Sequence, residues 1–141
     1  MSDYVERHRA VHQALERRDR DAIRAILSPH FTYTDHPRGL TMKTAEEYID
    51  WLDEWVGALP DAVVSESRYL GAEHTSVAQF VGRGTNEGSM GALPPTGRRI
   101  ALPFCEVFHY DASGLAVSGE SYYDALTILV QLGHADPPPR G

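Results

Sequence analysis

FCEVFHYDASGLAVSGESYYDALTILVQLG, residues Phe104 to Gly133, is the stretch from which the fold is read. Two runs of apolar and aromatic residues flank Asp111-Ala112-Ser113-Gly114, and a short polar turn with a glycine able to take positive φ reverses an antiparallel pair. A period of two places Phe104, Glu106 and Phe108 on one face of the first strand and Cys105, Val107 and His109 on the other. One carboxylate therefore sits among aromatics. On the return strand Ser118, Glu120, Tyr122 and Asp124 share a face, and Asp124 stands between Tyr123 and the apolar run Ala125 to Leu132, where an acid has little water around it.

Length and composition bound the class. The 141 residues suffice for a single domain, 1–141, with one core, and the tail HADPPPRG, 134–141, is expected to be extended and frayed. Thirteen basic against 20 acidic residues, a formal charge of −7, argue against a nucleic-acid footprint and against an anionic membrane surface. The lone cysteine, Cys105, allows no intrachain disulfide and reads as a small buried hydrophobe. With no signal-like N-terminus and no run of about 18 apolar residues, the expected location is the cytoplasm.

Read in order, the chain is helical first and then β. Residues 4–27 predict two helical pieces, with Val5, His8, Val11, His12 and Leu15 at helical spacing, Asp19 or Asp21 as a cap, and Pro29 as the stop. FTYTD, 31–35, reads as a short strand that Pro37 and Gly39 cut. Thr44-Ala45-Glu46-Glu47 has the form of a capping box, and Tyr48, Trp51, Leu52, Trp55 and Val56 follow on one helix face. Strands are expected near 62–70, 75–84, 98–110 and 115–124. GRGTNEGSMGALPPTGRR, 82–99, is expected to be a bulged edge leading into a loop over a pocket mouth. About three N-terminal helices packed on one face of a curved, mainly antiparallel sheet give an α+β domain, a cone whose cavity takes a small molecule. Both faces of strand 98–110 are largely apolar, so the face away from the helices is expected to pair with a second copy in a homodimer.

The order of helices, YTDHPRG, the capped aromatic helix, GTNEG with PPTGRR, DASG and YYDALTILVQLG resembles the SnoaL-like polyketide cyclases of the nuclear-transport-factor-like superfamily, over about residues 8–133. Its specific parts are Pro95-Thr96-Gly97-Arg98 and Asp124 followed by Gln131-Leu132-Gly133. The resemblance implies a cone-shaped α+β barrel and closure of a ring by intramolecular aldol condensation, with neither metal nor cofactor and with a pocket aspartate as acid and base. Asp124 resembles that aspartate. The family's Gly-Thr-His-x-Gly stands here as Gly84-Thr85-Asn86-Glu87-Gly88, and Asn86 can hydrogen-bond a carbonyl but cannot take a proton. The ketosteroid isomerases of the same superfamily imply a base at Asp35, near Pro37, and a protonated acid at Glu106. Val11 falls where those enzymes carry a tyrosine donor, which points away from steroid isomerisation.

Each candidate has a plainer alternative. Asp124 fits the N-cap of a helical turn begun by Ala125, and Asp35 fits turn chemistry before Pro37. Glu106 could pair with Arg98 or Arg99, or face solvent if the register slips by one. Trp51, Trp55 and Tyr48 have core spacing. His8 and His12, at i and i+4, have metal-ligand spacing without an evident third ligand, so no metal is expected. No nucleophile, phosphate-loop or dinucleotide motif is present.

The residues thus point to cofactor-free acid–base chemistry on a small apolar or aromatic carbonyl compound of one to four rings. Asp124 is expected to be the catalytic group and Asp35 its second. Glu106, Asn86, Tyr122, Tyr123, Trp51, Trp55, Phe104, Phe108 and His12 are expected to hold the substrate. The alternatives are another enzyme of the same fold, such as a hydrolase, isomerase, dehydratase or hydroxylase relative, or a non-catalytic ligand-binding module.

Overall fold

The computed structural model describes residues 2–140. Four helices, α1 (Ser2–Arg17), α2 (Arg20–Arg24), α3 (Ala45–Ala58) and α4 (Ala125–Gln131), pack with a six-stranded sheet. Its strands are β1 (Leu27–Asp35), β2 (Leu40–Met42), β3 (Val63–Ala72), β4 (Thr75–Thr85), β5 (Arg99–Tyr110) and β6 (Ala116–Tyr123). They lie in the order β2-β1-β6-β5-β4-β3, so the sheet is open, with β2 and β3 at its edges. Four of the five pairings are antiparallel, and β1 runs parallel to β6.

The predicted starts and turns follow local chemistry. Asp19 caps α2 by accepting from Ala22 N, and Thr44 caps α3 by accepting from Glu47 N. In the β5–β6 hairpin Asp111 Oδ1 accepts from Ser113 and Leu115 amides, while Gly114 takes φ +89°. Two expectations fail locally. Leu27, read as helical, instead opens β1 opposite Ala116, and Pro29 falls at the shift in that pairing, where its missing N–H breaks no ladder bond. Segment 82–99 is not an edge, and only Gly82 and Arg83 of it border a cavity. Its first part is the inner strand β4, paired on both sides, and the following loop docks on the end of α3 through Gly88 N donating to Ala58 O, 3.2 Å.

Cross-strand register decides what meets what on the helix-facing side. One row runs Asp35, Ser121, Glu106, Ala78, Tyr69; the next runs Tyr33, Gly119, Phe108, Ser76, Gly71. Gly119 is required there, because a Cβ would come within 2.6 Å of the Phe108 ring and 2.9 Å of the Tyr33 ring. The helices cover these rows with Val11, Ala14, Tyr48, Ile49, Trp51 and Leu52, all buried. A second cluster, Ala58, Leu59, Ile100, Leu102, Ile128 and Leu132, closes the other end beneath α4.

The opposite sheet face carries Leu70, Val77, Val81, Cys105, Val107 and Tyr122 with no helix over it among the described residues, and Leu70 is 62% and Tyr122 45% exposed. Charges of both signs, including Arg68, Glu120 and His109, share that face, as suits self-pairing. We propose that a second copy covers it. Light scattering at micromolar concentration is expected to give twice 15.7 kDa; a particle of 15.7 kDa would count against the pairing.

Candidate functional site

Glu106 is the polar centre beneath the helices. It is 4% exposed and both its oxygens are engaged. Oε1 faces His8 Nε2 at 2.9 Å and His12 Nε2 at 2.8 Å, both from α1. Oε2 accepts from the hydroxyls of Tyr33 at 2.5 Å and Tyr48 at 3.4 Å. Each imidazole is held at its other nitrogen, His8 Nδ1 by Ser76 Oγ at 2.7 Å and His12 Nδ1 by Tyr69 OH at 2.7 Å. Ser76 continues to Tyr110 OH at 2.8 Å, which reaches Tyr4 O at 3.2 Å.

The electrostatics follow from that packing. Burial alone would push the Glu106 carboxyl up, but hydrogen bonds and charge from His12 and His8 outweigh it and hold the group well below the usual carboxylate range. Burial lowers His8 from its ordinary value, with Glu106 acting in the opposite sense. Burial and then the Glu106 charge push the Tyr33 and Tyr48 phenols far up, so they remain donors.

His12 and Glu106 also border a cavity of about 80 Å³. Its walls are apolar: Val11, Trp51, Trp55, Phe80, Leu102 and Phe104. Val63 and Arg83, both exposed, mark its outer end. An engineered cavity of about 150 Å³ accepts one benzene, so a substrate of one to four rings extends beyond this volume. Trp55 Nε1 is buried and, among the described residues, without an acceptor. A buried donor left unpaired costs roughly 1–3 kcal/mol.

Of the residues singled out in the sequence, Glu106, His12, Trp51, Trp55 and Phe104 line this cavity. The others do not. Asp124 is exposed and caps α4, accepting from Leu126 N at 2.9 Å and Thr127 N at 3.3 Å. The strand ends at Tyr123, so the side chain turns to the free amides of the helix rather than continuing the sheet's alternation. Asp35 is wholly buried, but Tyr123 OH (2.7 and 2.8 Å), Trp51 Nε1 (3.0 Å), Arg38 Nε (2.8 Å) and Arg38 N (3.3 Å) occupy its oxygens. It ties the β1–β2 turn to α3. Asn86 is equally saturated: Nδ2 donates to Ala58 O and Gly88 O, and Oδ1 accepts from Thr96 N and Oγ1. Phe108 lies in the core, and Tyr122 stands on the outer face stacked on His36 at 4.6 Å. Glu106 meets imidazoles rather than Arg98 or Arg99.

Sequence reasoning did not assemble His8, Tyr33, Tyr69, Ser76 and Tyr110 around Glu106. A signal was present: two histidines at i and i+4 inside the apolar stripe of α1 need buried partners, and Glu106 was the carboxylate placed on an aromatic strand face.

The family described as SnoaL-like domain matches residues 8–118. No curated protein matches the chain. Among solved structures, a proposed SnoaL-like polyketide cyclase from a Jannaschia species superposes with a TM-score of 0.86 at 18% identity, over 97% of this chain and 94% of the other. AclR, a proposed hydroxylase from Streptomyces galilaeus, gives 0.85 at 18% identity over 99% and 87%. A protein with a ketosteroid isomerase-like fold from Catenulispora acidiphila, in complex with trimethylamine, gives 0.77 at 21% identity over 95% and 98%. At these identities the likeness is one of fold. Among the described residues no helix is long and apolar enough to cross a membrane.

Two outcomes follow from the geometry. Asp124→Ala removes a cap and is expected to lower stability by about 1 kcal/mol in urea unfolding, with ligand-induced shifts in Tm unchanged; a loss of ligand response would return Asp124 to the site. Glu106 has its folded pKa depressed below the unfolded value of about 4.3. Its contribution is therefore full above that pH and is lost as pH falls toward the folded value. Wild type should exceed Glu106→Gln in stability most above about pH 5, and the gap should narrow below about pH 4. A gap that widens on acidification would contradict the ionised, hydrogen-bonded carboxylate.

Proposed function

The chain belongs to the SnoaL-like domain family, and on that premise we propose that it is an acid–base enzyme closing a ring by intramolecular aldol condensation of a small, mostly apolar carbonyl compound. The observation that carries the reading is one titratable pair, His12 and Glu106, at the floor of an otherwise apolar cavity. His12, rather than Asp124, is the group that moves the proton. With Nε2–H of His12 donated to Glu106 Oε1, Nδ1 takes an acidic proton from the carbon next to a carbonyl as the substrate replaces the Tyr69 hydroxyl there, and the Glu106 carboxylate stabilises the imidazolium so formed.

The enolate oxygen then needs a donor in a dry site, and Trp55, a residue of the cavity wall, has a buried Nε1–H without an acceptor among the described residues. The enolate carbon attacks the second carbonyl, a carbon–carbon bond forms, and the alkoxide takes the proton back from His12. Trp51 and Phe104 supply flat apolar walls for the rest of the molecule. The 80 Å³ of open space favours a substrate that enters reactive end first, with its remainder toward Val63 and Arg83.

An aryl 1,5-diketone, which can close a six-membered ring, is a suitable probe, with the cyclised product measured by chromatography. The protein is expected to accelerate closure, and His12→Gln to lower the rate by about 10² or more, the range of positioned acid–base catalysis. Asp124→Asn should leave it unchanged. Loss in Asp124→Asn with retention in His12→Gln would reverse the assignment.

A further inference from the structure

We propose that His8 Nε2, His12 Nε2 and a Glu106 oxygen form a site for one divalent first-row transition-metal ion at the floor of the cavity. The three ligand atoms lie within 4.8 Å of one another, and all three residues are buried. Two imidazoles at i and i+4 of α1 and one carboxylate from β5 make a two-nitrogen, one-oxygen set, which suits zinc, cobalt, nickel or ferrous iron and leaves a coordination position open. His12 and Glu106 border the cavity, so that position is reached from it. Glu106 is the third ligand that spacing along the chain alone did not reveal.

Hydrogen-bond direction is compatible with ligation. Ser76 Oγ, 2.8 Å from Tyr110 OH and 2.7 Å from His8 Nδ1, can take either role in both contacts. When Tyr110 donates to Tyr4 O at 3.2 Å and accepts from Ser76, Ser76 accepts from Nδ1–H of His8 and the Nε2 lone pair faces Glu106 Oε1 at 2.9 Å. A metal ion between these two atoms is then met by the tautomer that metal-bound histidines take when Nδ1–H is held by an outer partner.

The outer partners are in place for every ligand. Ser76 holds His8, Tyr69 holds His12, and Tyr33 and Tyr48 orient the carboxylate through Oε2. Such contacts fix ring orientation and commonly change metal affinity 10- to 100-fold, roughly, when removed. The inference concerns binding and stands apart from the aldol reading. A bound ion would occupy the His12 lone pair, so the loaded protein would be silent in the ring-closure assay if that reading holds, whereas binding is measured without any substrate.

Chelator-stripped, desalted protein is titrated with Zn²⁺ by calorimetry and with Co²⁺ by visible absorption. The expected result on the unmodified chain is one ion per chain, low-coordinate Co²⁺ bands, and a Tm that rises with Zn²⁺ concentration. His8→Gln and Glu106→Gln should abolish the Co²⁺ bands, and Tyr69→Phe, which keeps all three ligands, should weaken binding by about 10- to 100-fold. A double variant of the exposed outer-face histidines, His36→Gln with His109→Gln, should bind as wild type does. The proposal is overturned if the unmodified protein takes up no ion, or if uptake is lost in the outer-face variant instead. It is equally overturned if nitrogen NMR of the unmodified protein kept with Zn²⁺ shows His8 protonated on both nitrogens.

Discussion

A buried carboxylate is the constraint on which this structure turns. Unpaired, the Glu106 charge would cost far more than the whole margin of stability of a domain this size. It is tolerable only because groups from α1, α3 and β1 converge on it: two imidazoles, Tyr48 and Tyr33. Through Ser76 and Tyr69 the same network reaches β4 and β3. Five elements besides β5 are thereby placed relative to one side chain. The rotation of α1 follows directly, since only one setting brings both His8 and His12 to the same carboxylate oxygen.

Two buried acids lie in one cross-strand row with Ser121 between them, yet they differ in what surrounds them. Asp35 is bound by a guanidinium, an indole N–H and a phenol, donors that keep their protons near neutral pH, and it lies outside the cavity. It works as a tie. Glu106 is bound by two imidazoles, groups that can hold or release a proton and can also ligate metals. The capacity for chemistry comes from the partners more than from the carboxylate itself.

The segments that carry the family resemblance turn out to be scaffold. Thr96 and Gly97 fold back on Asn86, which clamps the loop 86–98 to the end of α3. Gln131 pairs with β5 as a strand would, accepting from Ala101 N at 2.8 Å and donating to Ala101 O at 2.9 Å, while Leu132 is buried beside it. These contacts hold the cone's end closed.

Local rules sufficed for much of this chain. The hairpin about Asp111–Gly114, the cap at Thr44, the aromatic face of α3 and the placement of Glu106 among aromatics all follow from turn chemistry and from periods of 2 and 3.6. The parallel pairing of β1 with β6, the open sheet and the fourth helix as a distinct layer required contacts between segments far apart in the chain. The same holds for the site. The sequence by itself determined that His8 and His12 share the apolar stripe of a helix and that Glu106 shares a face with Phe104 and Phe108. Only the tertiary structure decided that these meet, 98 and 94 positions apart, and that Asp124 turns outward to cap a helix. The physical reason is that alternation fixes which face a side chain takes within its own element, whereas its partner is set by strand register and helix docking, which depend on every other buried group at once.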